Sequence, residues 1–415
     1  MTAEPPARIL LLLPSTSYRA KDFIAAAHRR DVLITIGSDQ DSVFREIQGD
    51  GALTLDFGNL DDSVARIAKF HQDTPLSAVI GVEESTTLVA AAASKELGLA
   101  HNDPEAVSRA NNKLSFRKEL ADAGLPGPAA RLFRSGEDAA NVAKTIAYPC
   151  VLKPINLSAS RGVIRADDPD QFVAAARRIR RMLSGANLEQ NILIEDFWPG
   201  EEIALEGILT EGDLTTLAIF DKPDPLDGPY FEETIYVTPS RHAPEDIERL
   251  TRIAEDACRA IGLTDGPVHA ELRLSAPDRR SNQSGPWVIE VAARSIGGLC
   301  SRSLSFGDGL SLEDIILDHA LGVTTPPPDR EIQASGVMMI PIPHSGTLIS
   351  VSGEIEARNV TGITGLEISK KVGQSVTALP EGNEYLGFIF AKGNAPDEVE
   401  ASLRDAHGKL TFEIS

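Results

Sequence analysis

No apolar run in these 415 residues approaches the roughly 18 that a membrane span requires, so a spanning segment is not expected. Positive charge is also scarce. Forty Lys and Arg face 61 Asp and Glu, a formal net charge of −21, which disfavours gripping duplex DNA by bulk charge or lying on anionic membrane. Cysteine is limited to Cys150, Cys258 and Cys300, without pairing or metal-ligand spacing, a pattern expected of a reducing cytoplasm. The apolar run 9–13 is short and follows Glu4, so no export signal is read there. No Ser–His–Asp or Cys–His signature, internal repeat or low-complexity segment stands out.

The remaining composition, 42% hydrophobic and 24% charged, is that of a folded globular chain of two to four domains. Charge is spread unevenly. Residues 101–200 hold 14 basic and 12 acidic side chains, and residues 201–300 hold 9 and 19. Arg177, Arg178, Arg180 and Arg181 read as a solvated helix face. A phosphate-handling segment beside a metal-handling one is the sharper reading of the same contrast.

In the first hundred residues, apolar strands at 8–13, 32–36 and 78–81 alternate with helical patterns through Arg30 and over 86–97, which predicts an open, mostly parallel α/β sheet. Asp103-Pro104-Glu105 predicts a helix start, with a pause at Asn111-Asn112 and a break at 124–128. Strands are expected at 150–153, 162–165, 191–195, 203–209 and 214–221. A helix over 244–261 then precedes strands at 269–274 and 287–291, joined by a hairpin tip at 281–285. The proline-rich stretch 324–328 reads as a linker. Beyond it, strands at 336–342, 346–350, 366–370 and 385–391 and a helix over 396–407 capped by Gly408 predict a compact α+β tail.

Three elements carry chemistry. Val151-Leu152-Lys153-Pro154 delivers a lysine, and Ser158-Ala159-Ser160-Arg161-Gly162 follows as a loop whose small residues let backbone N–H groups approach phosphate oxygens. Because the loop joins two strands, it is neither a P-loop nor a Rossmann turn. Next, Ile192-Leu193-Ile194-Glu195-Asp196-Phe197-Trp198 ends an apolar strand in carboxylates and aromatics, suited to an adenine hinge, with Glu202 beyond a turn. Taken singly, these also fit a strand edge and an acidic turn. Finally, Glu271 and Glu290 lie on strands expected to pair antiparallel and to project from one face. Two such charges repel unless a cation bridges them, and Mg²⁺ prefers oxygen ligands shared with phosphates.

In this order the elements resemble the ATP-grasp superfamily, and within it the L-amino acid ligases that join carboxylates to amines. The resemblance implies an N-terminal open α/β domain over 1–103, two nucleotide-clasping lobes over 104–196 and 197–325, and a small C-terminal α+β domain over 330–415. It implies ATP and two Mg²⁺ or Mn²⁺ ions as cofactors. Lys113 and Lys153 are then expected at the α/β-phosphates and Ser158, Ser160, Arg161 and Gly162 in the phosphate-covering loop. Glu195, Phe197 and Trp198 correspond to the adenine hinge, Glu202 to the ribose contact, and Glu271 and Glu290 to the metal carboxylates. Arg294, with Gly297-Gly298, is similar to the arginine that steadies an acyl phosphate. One departure is Ala292, where many members have Asn; it removes a neutral oxygen ligand from the second metal.

The implied reaction phosphorylates a carboxylate with ATP and lets an amine displace the phosphate. Lys222, Glu232 and Glu233, in the charged, proline-stiffened loop 221–233, are expected at the amino-acid substrate. Arg302 and Ser303 are weaker candidates for that pocket, His269 reads as a satisfied strand histidine, and Cys300 is not expected to be a nucleophile. The partners are small carboxylate and amine molecules, neither nucleic acid nor membrane, and a homodimer is compatible with the reading. An ATP-dependent carboxylase would carry an acid–base Glu or His shortly after Arg294, and 295–301 offers none. A non-catalytic nucleotide-binding regulator would have no need to retain Lys153, Glu271, Glu290 and Arg294 together.

Overall fold

The structure, a computed structural model, describes residues 6–40, 51–274, 285–323 and 327–415. The hairpin tip at 281–285 and the linker at 324–328 fall largely outside these residues.

The N-terminal sheet is built from β1 (Arg8–Leu12), β2 (Leu33–Ser38), β3 (Ala52–Thr54) and β4 (Ala78–Gly81), all parallel, in the order β3-β2-β1-β4. Leu10, Leu11 and Leu12 of β1 are fully buried because helices cover the sheet, as the unbroken apolar run requires. Helices α1 (Ala20–Arg29), α2 (Leu60–Asp73) and α3 (Glu84–Leu97) complete this layer. The chain leaves β1 toward β2 on one side and returns to β4 on the other. The loops after β1 and β4 therefore diverge at a topological switch point, where open α/β sheets hold ligands.

Two helices follow with almost no gap: α4 (Pro104–Asn111), with Asp103 as N-cap and Pro104 in its first turn, and α5 (Lys113–Asp122). The expected pause is Asn112, which ends one helix and caps the next by accepting from the N–H groups of Leu114 and Ser115 at 3.1 and 3.0 Å. A four-stranded antiparallel sheet of order β5-β8-β6-β7 comes next, from β5 (Ala130–Phe133), β6 (Cys150–Pro154), β7 (Ile164–Ala166) and β8 (Ile192–Asp196), backed by α6 (Ala139–Ala143) and α7 (Pro169–Gly185). Strand β7 starts two residues later than expected because Gly162, at φ 71°, belongs to the loop. The arginine face of α7 is only partly solvated. Arg178 is committed to Glu381, and Arg180 reaches the carbonyls of Arg134 and Glu137.

The largest sheet has eight strands in the order β13-β12-β9-β10-β11-β14-β18-β16. Its first part comprises β9 (Glu201–Thr210), β10 (Asp213–Lys222), β11 (Ile235–Thr238), β12 (Gly266–Leu274) and β13 (Trp287–Ala292). Helix α8 (Pro244–Ile261) packs on it through Leu250, Ile253, Ala254, Ala257, Cys258 and Ile261, a helical stripe of 3–4 spacing buried in one core with Leu205, Val268 and Val291. Each of its large aliphatic side chains contributes roughly 1.5–3 kcal/mol by burial. Helix α9 (Leu312–Ala320) ties the sheet to the N-terminal layer, since Arg29 pairs with its Asp314 at 2.6 Å.

Three strands of the tail join the eight-stranded sheet instead of forming a separate layer. Strand β14 (Ala334–Ile340) pairs with β11, and β16 (Ile363–Ile368) and β18 (Gly387–Gly393) extend the same sheet. A second small sheet, β17-β15-β19, uses β15 (Gly346–Ser352), β17 (Ser375–Val376) and β19 (Thr411–Ile414). Between them lie α10 (Glu354–Arg358) and α11 (Pro396–Lys409). The joining strand β11, only four residues long, was not expected from the sequence, and neither were the short strands β3, β5, β17 and β19. Helix α11 runs through Gly408 and ends at Lys409, with Leu410 as its extended C-cap. Gly408 is not among the glycines of positive φ, so it does not make the expected left-handed cap.

Candidate functional site

A cavity of about 500 Å³ opens where the N-terminal layer, the four-stranded sheet, the eight-stranded sheet and the tail meet. Pro14, Thr16, Ser17 and Tyr18 enter from the loop after β1, and Glu83, Glu84 and Ser85 from the loop after β4. Ser17 joins the two loops, its hydroxyl donating to Glu83 at 2.7 Å. These N-terminal residues were missed in the sequence. Their signal was the acidic pair directly after a parallel strand, at a helix N-terminus.

Both expected lysines line the cavity. Lys113 is the first residue of α5, and its ammonium donates to the Leu157 carbonyl at 2.7 Å and lies 3.5 Å from Glu290. Burial opposes its charge, but Glu290 and Glu84 outweigh burial and raise its pKa. Lys153, on β6, pairs with Glu195 at 2.6 Å. Glu195 is only 3% exposed and is also held by Arg117 at 2.5 Å. Burial alone would raise its pKa; the two cations hold it down at about 2. Arg117 further donates to the carbonyls of Val288 and Ile289, binding α5 to β13.

Phe197 and Trp198 follow β8 and line the same cavity with Val151 and Ile289. The loop 158–162 is divided. Ser158 and Ser160 line the cavity, whereas Arg161 and Gly162 point away, the first donating to the Glu381 carbonyl and the second to that of Pro380. Of the four residues expected in the phosphate-covering loop, two therefore line the cavity and two fasten the loop to the tail.

On the eight-stranded sheet, Glu271 of β12 and Glu290 of β13 are direct cross-strand partners, and both line the cavity. Among the described residues, Glu202, Glu233 and Glu271 converge, each with an oxygen within 4.8 Å of the others. Lys222 lies among them, 7% exposed, at 2.8 Å from Glu202, 2.6 Å from Glu233 and 3.2 Å from Glu271. Burial disfavours its charge, yet these carboxylates hold its pKa well above the ordinary value. Burial pushes Glu233 up to about 7 despite Lys222, while Lys222 and His269 outweigh burial at Glu271 and lower it well below the usual range.

Lys222 therefore serves protein carboxylates and does not line the cavity, and Glu233 reaches the cavity while its neighbour Glu232 does not. Glu232 instead lines a side cleft with Ile342 and Leu379. Glu202 also lines the cavity, but its second oxygen accepts from Arg273 at 3.0 Å. His269 is satisfied by Glu206, as expected, and in addition faces the cavity and Glu271. Burial opposes its protonation, but Glu206 and Glu271 raise its pKa to about 9.

At the far end lie Arg294, Gly297 and Gly298. Arg294 is 3.6 Å from Glu84, and neither its Nε nor the Glu84 Oε2 has a hydrogen-bond partner among the described residues. Burial first, then Glu290, raises the Glu84 carboxyl. Arg302 and Ser303 fall outside the cavity, Arg302 pairing with Asp22 and Glu367. Cys300 reaches the cavity, and burial raises its thiol pKa, which disfavours the thiolate. No helix of the described residues is long and apolar enough to cross a membrane.

The comparisons with known proteins agree with this geometry. Residues 146–303 match the ATP-grasp domain and residues 338–415 the L-amino acid ligase C-terminal domain 2. Alanine--anticapsin ligase of Bacillus subtilis (strain 168) is 25% identical over 276 residues, 62% of this chain and 57% of that protein, so the matched stretch spans little more than half of that relative. The crystal structure of an L-amino acid ligase from Bacillus licheniformis superposes with a TM-score of 0.81 at 23% identity, covering 99% of this chain and 100% of that one. The biotin carboxylase domain of a Hydrogenobacter thermophilus 2-oxoglutarate carboxylase, solved with MgADP and bicarbonate, gives a TM-score of 0.71 at 16% identity over 99% and 91% of the two chains. The chain thus carries an ATP-grasp domain over 146–303 and an L-amino acid ligase C-terminal domain 2 over 338–415, and it has the fold of an L-amino acid ligase.

Proposed function

We propose that the protein is an ATP- and magnesium-dependent carboxylate–amine ligase that forms an amide bond of dipeptide type. The observation that carries this reading is the meeting of Lys113, Lys153, Glu271, Glu290 and Arg294 on one cavity. Phe197, Trp198, Val151 and Ile289 offer an apolar slot for adenine. Lys113 and Lys153 draw the phosphates along the floor under Ser158 and Ser160. The hard carboxylate oxygens of Glu271 and Glu290, with Glu202 and Glu233 adjoining, fit a hard divalent cation. These carboxylates would hold magnesium, which would supply charge neutralisation for the transferring phosphoryl group.

In this scheme the substrate carboxylate attacks the γ-phosphorus and ADP departs, leaving an acyl phosphate. An amine then attacks the carbonyl carbon, the C–O bond to phosphate breaks, and the nitrogen gives up one proton. Arg294 stabilises the acyl phosphate oxygens at the moment charge builds on them. Glu84, with one oxygen free of hydrogen bonds, stands beside Arg294 to receive the substrate ammonium. Protonated His269 restrains Glu271 through Oε1, the same oxygen that meets Lys222. A cytoplasmic setting accords with three buried free cysteines.

The test is a phosphate-release screen with ATP, Mg²⁺ and amino acids in pairs, followed by mass identification of the product. An adduct of two substrates minus one water supports the ligase. Phosphate released with bicarbonate and no amine sinks it in favour of a carboxylase, and ATP binding without release in any mixture points to a regulator.

A further inference from the structure

The tail segment 377–385 touches the cavity and the small-residue loop at once. Asn383, Glu384 and Tyr385 form part of the cavity wall. Just before them, the Pro380 carbonyl accepts from the Gly162 N–H at 2.9 Å, and the Glu381 carbonyl from Arg161 Nε at 3.1 Å. The Glu381 carboxylate is taken by the fork of Arg178, at 2.6 Å from Nε and 2.7 Å from Nη2. Arg178 belongs to α7, in the same lobe as the loop, and also donates to the Tyr230 hydroxyl. Glu381 is thus the point at which that lobe is clipped to the tail.

The loop needs such a clip. Ala159 and Ser160 have φ values of 55° and 53°, a left-handed conformation that residues with a Cβ adopt at a cost. Gly162 at φ 71° is folded so close to the end of β6 that a Cβ would lie 2.6 Å from the Pro154 ring. Two strained residues persist only where their surroundings hold them. Here the outer contacts on Arg161 and Gly162 come from the tail.

We propose that Arg178 and Glu381 are positioning residues that clip the loop 158–162 in its closed conformation, so that Ser158 and Ser160 are presented to the cavity. The proposal rests on the reading of this loop as the one that covers the nucleotide phosphates, and it adds what holds the loop there. Both side chains are partly exposed, at 35% and 39%, so the pair contributes little to global stability. Loop closure can therefore be loosened without unfolding the chain.

Hydrogen–deuterium exchange of the loop in the full-length protein, without nucleotide, tests the clip directly. Glu381→Gln is expected to speed exchange at the Gly162 amide by about three- to tenfold with an unchanged melting temperature. Arg178→Lys, which keeps the charge but loses the fork, should give a smaller increase. The exchanged pair Arg178→Glu with Glu381→Arg should restore protection. Unchanged loop exchange in both Glu381→Gln and Arg178→Lys overturns the proposal. Adding Mg·ADP separates it from the underlying reading. Further slowing in the wild-type protein supports a phosphate-covering loop, whereas faster exchange in Glu381→Gln with no response to Mg·ADP keeps the clip and removes the nucleotide role. In turnover, the variant should raise KM for ATP by the same factor and leave kcat within about twofold.

Discussion

The two faces of the cavity balance charge in opposite ways. On the four-stranded sheet, one buried carboxylate, Glu195, is shared by two cations, Arg117 and Lys153. On the eight-stranded sheet one buried cation, Lys222, is shared by three carboxylates, Glu202, Glu233 and Glu271, with Glu290 opposite Glu271. A buried unpaired charge is costly, so the first arrangement is complete in itself and the second is short of positive charge. On the first face Glu195 is held at about 2, whereas the second splits its carboxylates: burial lifts Glu233 to about 7 while Lys222 and His269 hold Glu271 well below the usual range. A complete pairing suits a fixed floor, and a deficit of cations suits a place where a metal–nucleotide complex is received.

The comparison breaks most sharply at Glu290. If the acidic face is where phosphoryl charge is neutralised, Glu290→Gln should lower ATP-dependent phosphate release by at least about 100-fold, a loss of some 2.7 kcal/mol in transition-state stabilisation. Nucleotide binding measured by calorimetry should weaken far less. Residual release above a tenth of wild type would move the metal role elsewhere.

Removing one cation from each face compares them directly. Lys222→Met leaves three clustered carboxylates without their ammonium and should cost about 3–5 kcal/mol of unfolding free energy. Lys153→Met leaves Glu195 still bound to Arg117 and should cost about 1–2 kcal/mol. Equal losses in denaturant unfolding at pH 7 would refute the asymmetry.

The complete pairing on the basic face also sets a pH dependence. Because the folded pKa of Glu195 lies below its ordinary value of 4.5, its pairing contributes stability that is full above about 4.5 and lost as pH falls toward about 2. The interval corresponds to about 3 kcal/mol. Glu195→Gln should therefore destabilise the protein by that order at neutral pH, and the gap to wild type should close on acidification through this window. A gap independent of pH would mean that packing, not charge, is what Glu195 contributes.

How much of this was legible beforehand follows from how local each feature is. The helix pause at Asn112, the lysine strand and the facing of Glu271 and Glu290 are written in neighbouring residues and in the alternation of two strands. The Lys222 cluster is not, because its members come from β9, β10, β12 and the loop before β11, and their convergence depends on strand order. Glu83 and Glu84 become site residues only once β4 lies beside β1. The joining of tail and lobe into one sheet rests on the four residues of β11, too short a run for periodicity to reveal. Arg161 and Gly162 were placed in the phosphate-covering loop by resemblance, and a resemblance in sequence does not tell which way a loop side chain or amide turns.

Glu232 and Glu233 are the closest comparison the molecule offers, since adjacent residues of the same type stand on opposite sides of one wall. Glu233 belongs to the acidic face through Lys222. Glu232 faces the side cleft; burial raises its carboxyl, and a hydrogen bond from the Ile342 backbone opposes that rise. Glu233→Gln removes a partner of Lys222 and should slow turnover at least tenfold, about 1.4 kcal/mol. Glu232→Gln keeps a hydrogen-bond acceptor for the Ile342 N–H and should leave kcat and both KM values within about twofold, since 0.4 kcal/mol corresponds to that factor. Parallel steady-state kinetics on the two variants decide the point, because a substrate role for Glu232 would raise one amino-acid KM several-fold while leaving that for ATP untouched. If that rise were found, the wall between cleft and cavity would have to open during turnover, and the acidic face would extend beyond the residues that line it here.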